Sequence, residues 1–100
     1  MKLPENKLRA IHPGEILADE LQELELTARA FAGALKVPHN RITTILNKQR
    51  SVTADTALRL ADYFGTTPQF WMNLQQQYDL KIAEAEKGPA IRKQVRRHAA

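Results

Sequence analysis

Apolar residues recur at helical spacing along nearly the whole chain, and this periodicity most constrains its fold. Phe31, Ala32 and Leu35 follow Ala28 at positions i+3, i+4 and i+7, which gives a helix one apolar face. The same spacing returns at Ala57, Leu60, Ala61 and Phe64. No stretch of four or more residues alternates as a β-strand would. We therefore predict an all-α protein.

Capping and helix-breaking residues divide the periodic pattern into separate helices. Pro13 and Glu15 suit the first turn of a first helix, because that turn needs no proline N–H and favours a negative charge. Thr27 and Thr53 can cap the second and fourth helices with their hydroxyl groups. Gly65 can end the fourth helix in a left-handed conformation. Together with a third helix that begins near Pro38, these signals predict four short helices.

A fifth helix is predicted from Pro68 to about Lys87, with Thr67 as its cap. Gly88 and Pro89 should stop it, because proline cannot continue the helical hydrogen bonding. It should be the longest of the five helices.

The chain has 100 residues, which is enough for one small domain. We predict a single domain over residues 1–87 and a basic, flexible tail over residues 88–100.

Positive charge is concentrated in two segments that contain no acidic residue. The whole chain carries 15 Lys and Arg against 11 Asp and Glu, for a net charge of +4. Residues 38–52 contain Arg41, Lys48 and Arg50, and residues 88–100 contain four more basic side chains. Local basic density favours a polyanionic partner such as nucleic acid.

The sequence contains no recognisable set of catalytic or metal-binding residues. It has no cysteine, which excludes disulfides, thiol catalysis and cysteine-ligated metals. His12, His39 and His98 are scattered, and Ser51, the one serine, has no base beside it. His12 is better read as a residue at a helix start. We expect neither an enzyme nor a bound cofactor or metal.

The chain also has no apolar run of the roughly 20 residues that a membrane helix needs. Residues 1–7 lead into no apolar signal-peptide core. We expect a cytoplasmic protein without a membrane partner.

The segment over residues 27–48 has the pattern of a helix-turn-helix. Two amphipathic helices are joined by a short turn at residues 36–38. Ala32 is small where the helices approach each other, and Val37 can fill the turn. In this motif the second helix enters the major groove of DNA.

The outer face of the third helix carries hydrogen-bonding side chains. If Ile42 marks the buried side, Asn40 and Thr44 point away from the core at about 100° per residue. Polar side chains are common on exposed helices, but Asn and Thr are poor helix formers. Their presence therefore favours base reading. The predicted DNA-contact residues are His39, Asn40, Arg41, Thr43, Thr44, Asn47, Lys48 and Arg50.

The fifth helix has more apolar surface than one neighbouring helix can easily cover. A single helix-turn-helix also reads only a few base pairs, whereas a dimer reads two half-sites. We therefore predict a homodimer on a palindromic operator, although the whole apolar face could instead pack on the fourth helix. The predicted dimer residues are Phe70, Trp71, Leu74, Tyr78 and Ile82.

Several stretches together resemble HigA-type antitoxins of bacterial toxin–antitoxin modules, within the lambda-repressor-like helix-turn-helix class. The opening HPGEIL over residues 12–17 and the FWMNLQ over residues 70–75, followed by YDL, are the most specific. RITTILN over residues 41–47 and TADTALRLA over residues 53–61 also match. The resemblance covers residues 12–80 and implies a five-helix fold.

The resemblance also implies a function. Such antitoxins are usually homodimers that bind an operator in their own promoter and neutralise a RelE-like ribonuclease toxin. Carried over by the motif, the base-facing positions are His39, Asn40, Thr43 and Thr44. Arg41, Asn47 and Arg50 fall at flanking or phosphate positions.

One position departs from the wider class, in which a glutamine often begins the second helix. Ala28 stands there in this chain. Either another residue supplies the phosphate contact, or the affinity for DNA is lower. The alternatives to an antitoxin are a stand-alone repressor without a toxin and an interaction module that has lost DNA binding.

Overall fold

The computed structural model describes residues 9–99, and within them it contains five α-helices and no strand. The helices are α1 (Pro13–Glu23), α2 (Ala28–Leu35), α3 (His39–Leu46), α4 (Ala54–Phe64) and α5 (Pro68–Gln94). The all-α prediction is confirmed. Residues 1–7, where we predicted no signal peptide, lie outside the described residues.

Side chains at the helix starts satisfy backbone N–H groups that have no partner within the helix. The Thr27 hydroxyl accepts from Ala30 N at 3.0 Å, and the Thr67 hydroxyl accepts from Phe70 N at 3.1 Å. Thr53 occupies the cap position of α4, but its side chain makes no capping bond. Gly65 ends α4 with φ 72°, as its position predicts.

The core forms where α3 packs against α1 and α2 while α4 lies along α5. Each helix places its apolar face in one continuous cluster. The buried apolar side chains of this core are Leu17, Leu21, Phe31, Ala32, Leu35, Ile42, Ile45, Val52, Ala57, Leu60 and Trp71. Leu24 continues the apolar spacing of Leu17 and Leu21, but it is exposed because it lies after the end of α1.

The predicted end of the fifth helix near Lys87 is wrong, because α5 continues through Pro89 to Gln94. The Arg92 guanidinium donates to both carboxylate oxygens of Glu84, at 3.2 and 2.5 Å, and so bridges the two turns around the proline. A side chain at Gly88 would overlap the Glu84 carboxylate. Gly88 therefore leaves room for this bridge.

Helix α5 is 27 residues long, but its second half is mostly polar and exposed. Among residues 9–99, no helix has both the length and the apolar character needed to cross a membrane.

Trp71 belongs to the core of a single chain, which corrects its prediction as a dimer contact. Only 2% of the residue is exposed, and its indole N–H donates to the Thr66 hydroxyl at 3.0 Å. Phe70, its neighbour, remains 43% exposed. The difference arises because consecutive helical residues point about 100° apart.

His12 is buried at the start of α1 and connects three parts of the fold. Its Nδ1 accepts from Gly14 N at 2.8 Å, while Glu15 accepts from His12 N at 3.1 Å, which completes a capping box. The ring packs edge-on against Tyr78 of α5 and hydrogen-bonds the backbone of Arg50. His12 is therefore a structural cap, as the sequence indicated.

Burial lowers the pKa of His12 from its ordinary value of 6.5. Lys48 acts in the same direction, whereas the Arg50 backbone and the carboxylates of Asp79 and Glu15 oppose it. A proton on Nδ1 would also remove the acceptor for Gly14 N. The folded chain therefore favours the neutral form of His12 more strongly than the unfolded chain does.

We expect the free energy of unfolding to fall as the pH decreases below about 6.5, since the unfolded chain then binds a proton that the folded chain excludes. His12→Asn keeps a capping oxygen but has no imidazole, so its stability should fall less steeply over the same range. Denaturant unfolding of both proteins at several pH values measures this. Parallel pH profiles for the two proteins would contradict the prediction.

Candidate nucleic-acid interface

A tight turn between α2 and α3 sets the position of the third helix. Lys36 adopts a left-handed conformation with φ 61°, and its N–H donates to Gly33 O at 3.2 Å. Val37 N donates to Ala32 O at 3.0 Å, and its side chain packs against the core. Pro38 then precedes the first residue of α3. This geometry matches the predicted helix-turn-helix.

The inner face of α3 is held by the core and by a close approach of α1. Ile42 and Ile45 are fully buried. At Gly14, an added Cβ would overlap the backbone carbonyl of Ile45. The start of α1 can therefore lie directly against the last turn of α3 only because residue 14 has no side chain.

The outer face of α3 is polar and accessible. Asn40 is exposed, and His39, Thr43 and Thr44 are half-buried. The Thr44 hydroxyl donates to Asn40 O at 2.6 Å, and the Thr43 hydroxyl donates to the same oxygen at 3.3 Å. With its proton so engaged, Thr44 still offers a methyl group and hydroxyl lone pairs to a partner.

The basic loop over residues 47–52 leaves the end of α3 and is held at three places. Lys48 has φ 64°, and the next residue donates back to Thr44 O at 2.8 Å. Val52 N donates to the buried Gln75 Oε1 at 2.7 Å, and the backbone of Arg50 hydrogen-bonds His12. The exposed Lys48 and Arg50 side chains therefore project from a supported backbone.

Among residues 9–99, Arg41 is the one predicted contact residue whose charged group is engaged with a carboxylate. Its Nη1 donates to Asp55 Oδ2 at 2.5 Å. Arg59 Nε donates to the same oxygen at 2.9 Å, and Arg59 Nη1 donates to Leu35 O at 2.9 Å. Arg59 and then Arg41 hold the pKa of Asp55 below its ordinary range, so Asp55 is ionised at neutral pH.

Comparison with known proteins agrees with this geometry. Residues 17–71 match the family model described as Helix-turn-helix. Virulence-associated protein I of Dichelobacter nodosus is 52% identical over 90 residues, which cover 87% of this chain and 83% of the relative.

Two solved structures share the whole arrangement. An addiction module antidote protein of the HigA family from Coxiella burnetii is 56% identical, with a TM-score of 0.86 over 90% of this chain and 99% of that chain. Antitoxin HigA of Pseudomonas aeruginosa, solved with the higBA promoter, is 46% identical, with a TM-score of 0.87 over 91% of this chain and 100% of that chain. The present chain belongs to the HigA family of helix-turn-helix antitoxins.

The HigA family consists of DNA-binding regulators and not of enzymes. In this HigA-family chain, the structure brings the predicted contact residues together on α3 and the following loop. Their role in binding DNA remains a prediction. Across residues 9–99, no three His, Asp or Glu side chains are grouped so that they could hold a metal ion.

Sequence reasoning missed three residues that support this surface. Gln75 is buried, accepts from Val52 N and donates to Asp79. Asp55 and Arg59 are four residues apart on α4, a spacing that signals an ion pair. Nothing local signals that Asp55 would also meet Arg41, because 14 residues separate them.

Ala28, where the wider class often has glutamine, is half-buried against the core of this HigA-family chain. Its small methyl group suits that packing.

Proposed function

We propose that this chain binds an operator in its own promoter through α3 and represses its own operon. The observation that carries this proposal is the face of α3 around Asn40 and Thr44, which is polar and free of acidic residues, together with the supported basic loop that follows it. Asn can pair bidentately with adenine, and a threonine methyl can contact a thymine methyl. The solved structure of the Pseudomonas aeruginosa relative with the higBA promoter supports the proposal of operator binding.

We propose further that the chain neutralises a RelE-like ribonuclease toxin in the cytoplasm. This follows from its membership of an antitoxin family and from the resemblance of residues 12–80 to that family. A stand-alone repressor would have the same α3 surface, so DNA binding does not distinguish the two functions. Binding to the product of the adjacent gene does distinguish them.

A gel shift with the chain's own promoter fragment tests both functions. We expect a specific complex that unlabelled promoter displaces and scrambled duplex does not. Adding the product of the adjacent gene should change the mobility of that complex, and the chain should protect translation from that product. Failure to bind the promoter contradicts the repressor proposal, and failure to bind the adjacent product contradicts the antitoxin proposal.

Binding should depend steeply on salt, because the basic loop presents its cations to phosphate. Each phosphate neutralised adds about 0.9 to the slope of log K against log salt. Lys48→Ala with Arg50→Ala should therefore flatten the slope by about 1.8 and weaken all sequences alike. The exposed Lys87 on α5 provides a control, since Lys87→Ala should leave the slope unchanged. An unchanged slope in the double variant would place the phosphate contacts elsewhere.

We propose a homodimer on α5, with the two copies meeting through the same surface. Phe70 is exposed, and Leu74, Tyr78 and Ile82 remain half-buried in the single chain. Leu80 and Ile91 add exposed apolar surface to the same helix. Analytical ultracentrifugation should give twice the chain mass of 11.3 kDa. A monomer, both free and on half-site DNA, would contradict the dimer.

A further inference from the structure

An ion-pair chain links three helices beside the predicted DNA surface. Arg41 lies in the first turn of α3, and Asp55 lies in the first turn of α4. Arg59, one turn further along α4, reaches the last carbonyl of α2 at Leu35. The carboxylate of Asp55 therefore lies between two guanidinium groups. One belongs to Arg41 on α3, the predicted recognition helix, and the other belongs to Arg59, which is hydrogen-bonded to the end of α2.

The geometry restricts where Arg41 can point. A long arginine side chain in solution samples many rotamers, and its ordering costs entropy on binding. Here Nη1 is held by Asp55, and the Arg41 side chain is only 27% exposed. Arg59 holds Asp55 in turn through its Nε. One direction of the Arg41 guanidinium is thereby selected before DNA arrives.

Asp55 also places a negative charge beside a segment that has none of its own. Residues 38–52 contain no acidic residue. A carboxylate near the DNA backbone repels phosphate groups unless the protein and the DNA are aligned so that the two charges stay apart. Repulsion between like charges is a common way in which an interface rejects the wrong partner. Asp55 can therefore act against non-specific duplexes while it orients Arg41 for the correct one.

The geometry points to Asp55 as a residue that sets specificity for the operator by positioning Arg41 and by lowering affinity for other DNA. This inference rests on the proposed operator binding. Loss of the Asp55 carboxylate frees Arg41 to follow any phosphate. Non-specific affinity then rises, while operator affinity does not gain in proportion.

The test compares Asp55→Asn with Asp62→Asn, measured on the promoter duplex and on a scrambled duplex of the same length. Asp62 is an exposed acid on the same helix, two turns away, and forms no ion pair within residues 9–99. Asp55→Asn should tighten binding to the scrambled duplex about threefold to tenfold. It should also steepen the slope of log K against log salt for that duplex by about 0.9, as one added phosphate contact would. Promoter binding should stay unchanged or weaken. Asp62→Asn should leave the ratio of the two affinities at the wild-type value.

Two further variants separate positioning from fold support. Asp55→Glu keeps the charge and should retain most of the wild-type ratio of promoter affinity to scrambled-duplex affinity. In an Arg41→Gln background, Asp55→Asn should change the salt slope less than it does in the wild type, because only the direct repulsion between Asp55 and phosphate is then lost. If Asp55→Asn does not fold, as judged by circular dichroism, Asp55→Ser gives the same comparison in the first turn of α4.

The outcomes distinguish this inference from the function on which it rests. If the wild-type chain binds promoter and scrambled DNA equally, the proposed function fails. If the wild type prefers its promoter but Asp55→Asn and Asp62→Asn behave alike, operator binding stands and the role of Asp55 is overturned.

Discussion

Replacing Asn40 and Thr44 together by alanine is expected to weaken promoter binding by about 2–6 kcal/mol. Each good base contact is worth about 1–3 kcal/mol, and the two side chains lie on the outer face of α3, away from the buried Ile42. Non-specific binding should change little, because neither side chain is charged. Fluorescence anisotropy with promoter and scrambled duplexes measures both quantities at one salt concentration.

The control for this double variant removes the same kind of side chain from another helix. Asn73 is exposed on α5, and Asn73→Ala should bind the promoter as the wild type does. The double variant should also stay folded, since it exposes no apolar group and loses only the bonds from Thr44 to the backbone. A folded double variant that binds the promoter normally would show that another surface reads the bases.

Gly14→Ala is expected to destabilise the fold by at least about 1–3 kcal/mol, the range for overpacked cores. The new Cβ would overlap the Ile45 carbonyl, which belongs to the backbone and has no rotamer to change. The overlap is relieved only if α1 moves away from the last turn of α3. That movement would also disturb the buried capping contacts of His12. Thermal and denaturant unfolding measure the loss, and promoter affinity should fall with it.

Gly33→Ala provides the matched comparison. Gly33 is exposed within α2, and nothing lies within 4 Å of the position that its Cβ would take. Alanine in a helix is favoured over glycine by about 0.5–1 kcal/mol, so this variant should be slightly more stable than the wild type. Equal effects of the two substitutions would show that α1 does not approach α3 as closely as described.

The recognition helix is short, with eight residues and no side-chain cap of its own. Its orientation depends on the turn at Lys36, on Gly14 beneath it and on the His12 and Gln75 contacts that hold the following loop. Changes at any of these supports should therefore affect DNA binding, although His12, Gly14 and Gln75 are buried and cannot contact DNA themselves.

Much of this fold follows from the sequence alone because its signals are local. A capping hydroxyl and the N–H that it satisfies lie within one turn, as Thr27 and Thr67 show. A glycine such as Gly65 needs only its own φ angle to end a helix. The apolar period likewise identifies Ile42 and Ile45 as buried, and the polar face of α3 follows from that assignment.

Tertiary structure decided the features whose partners lie far away along the chain or on a neighbouring helix. Trp71 and Phe70 are adjacent and both aromatic, yet only the packing of α5 buries one and exposes the other. Helix α5 continues past Pro89, and Glu84 and Arg92 meet across the proline, eight residues apart. Arg41 finds Asp55 only when α3 and α4 are folded together. Periodicity and capping rules describe one turn of one helix, whereas such contacts depend on how separate helices pack in three dimensions.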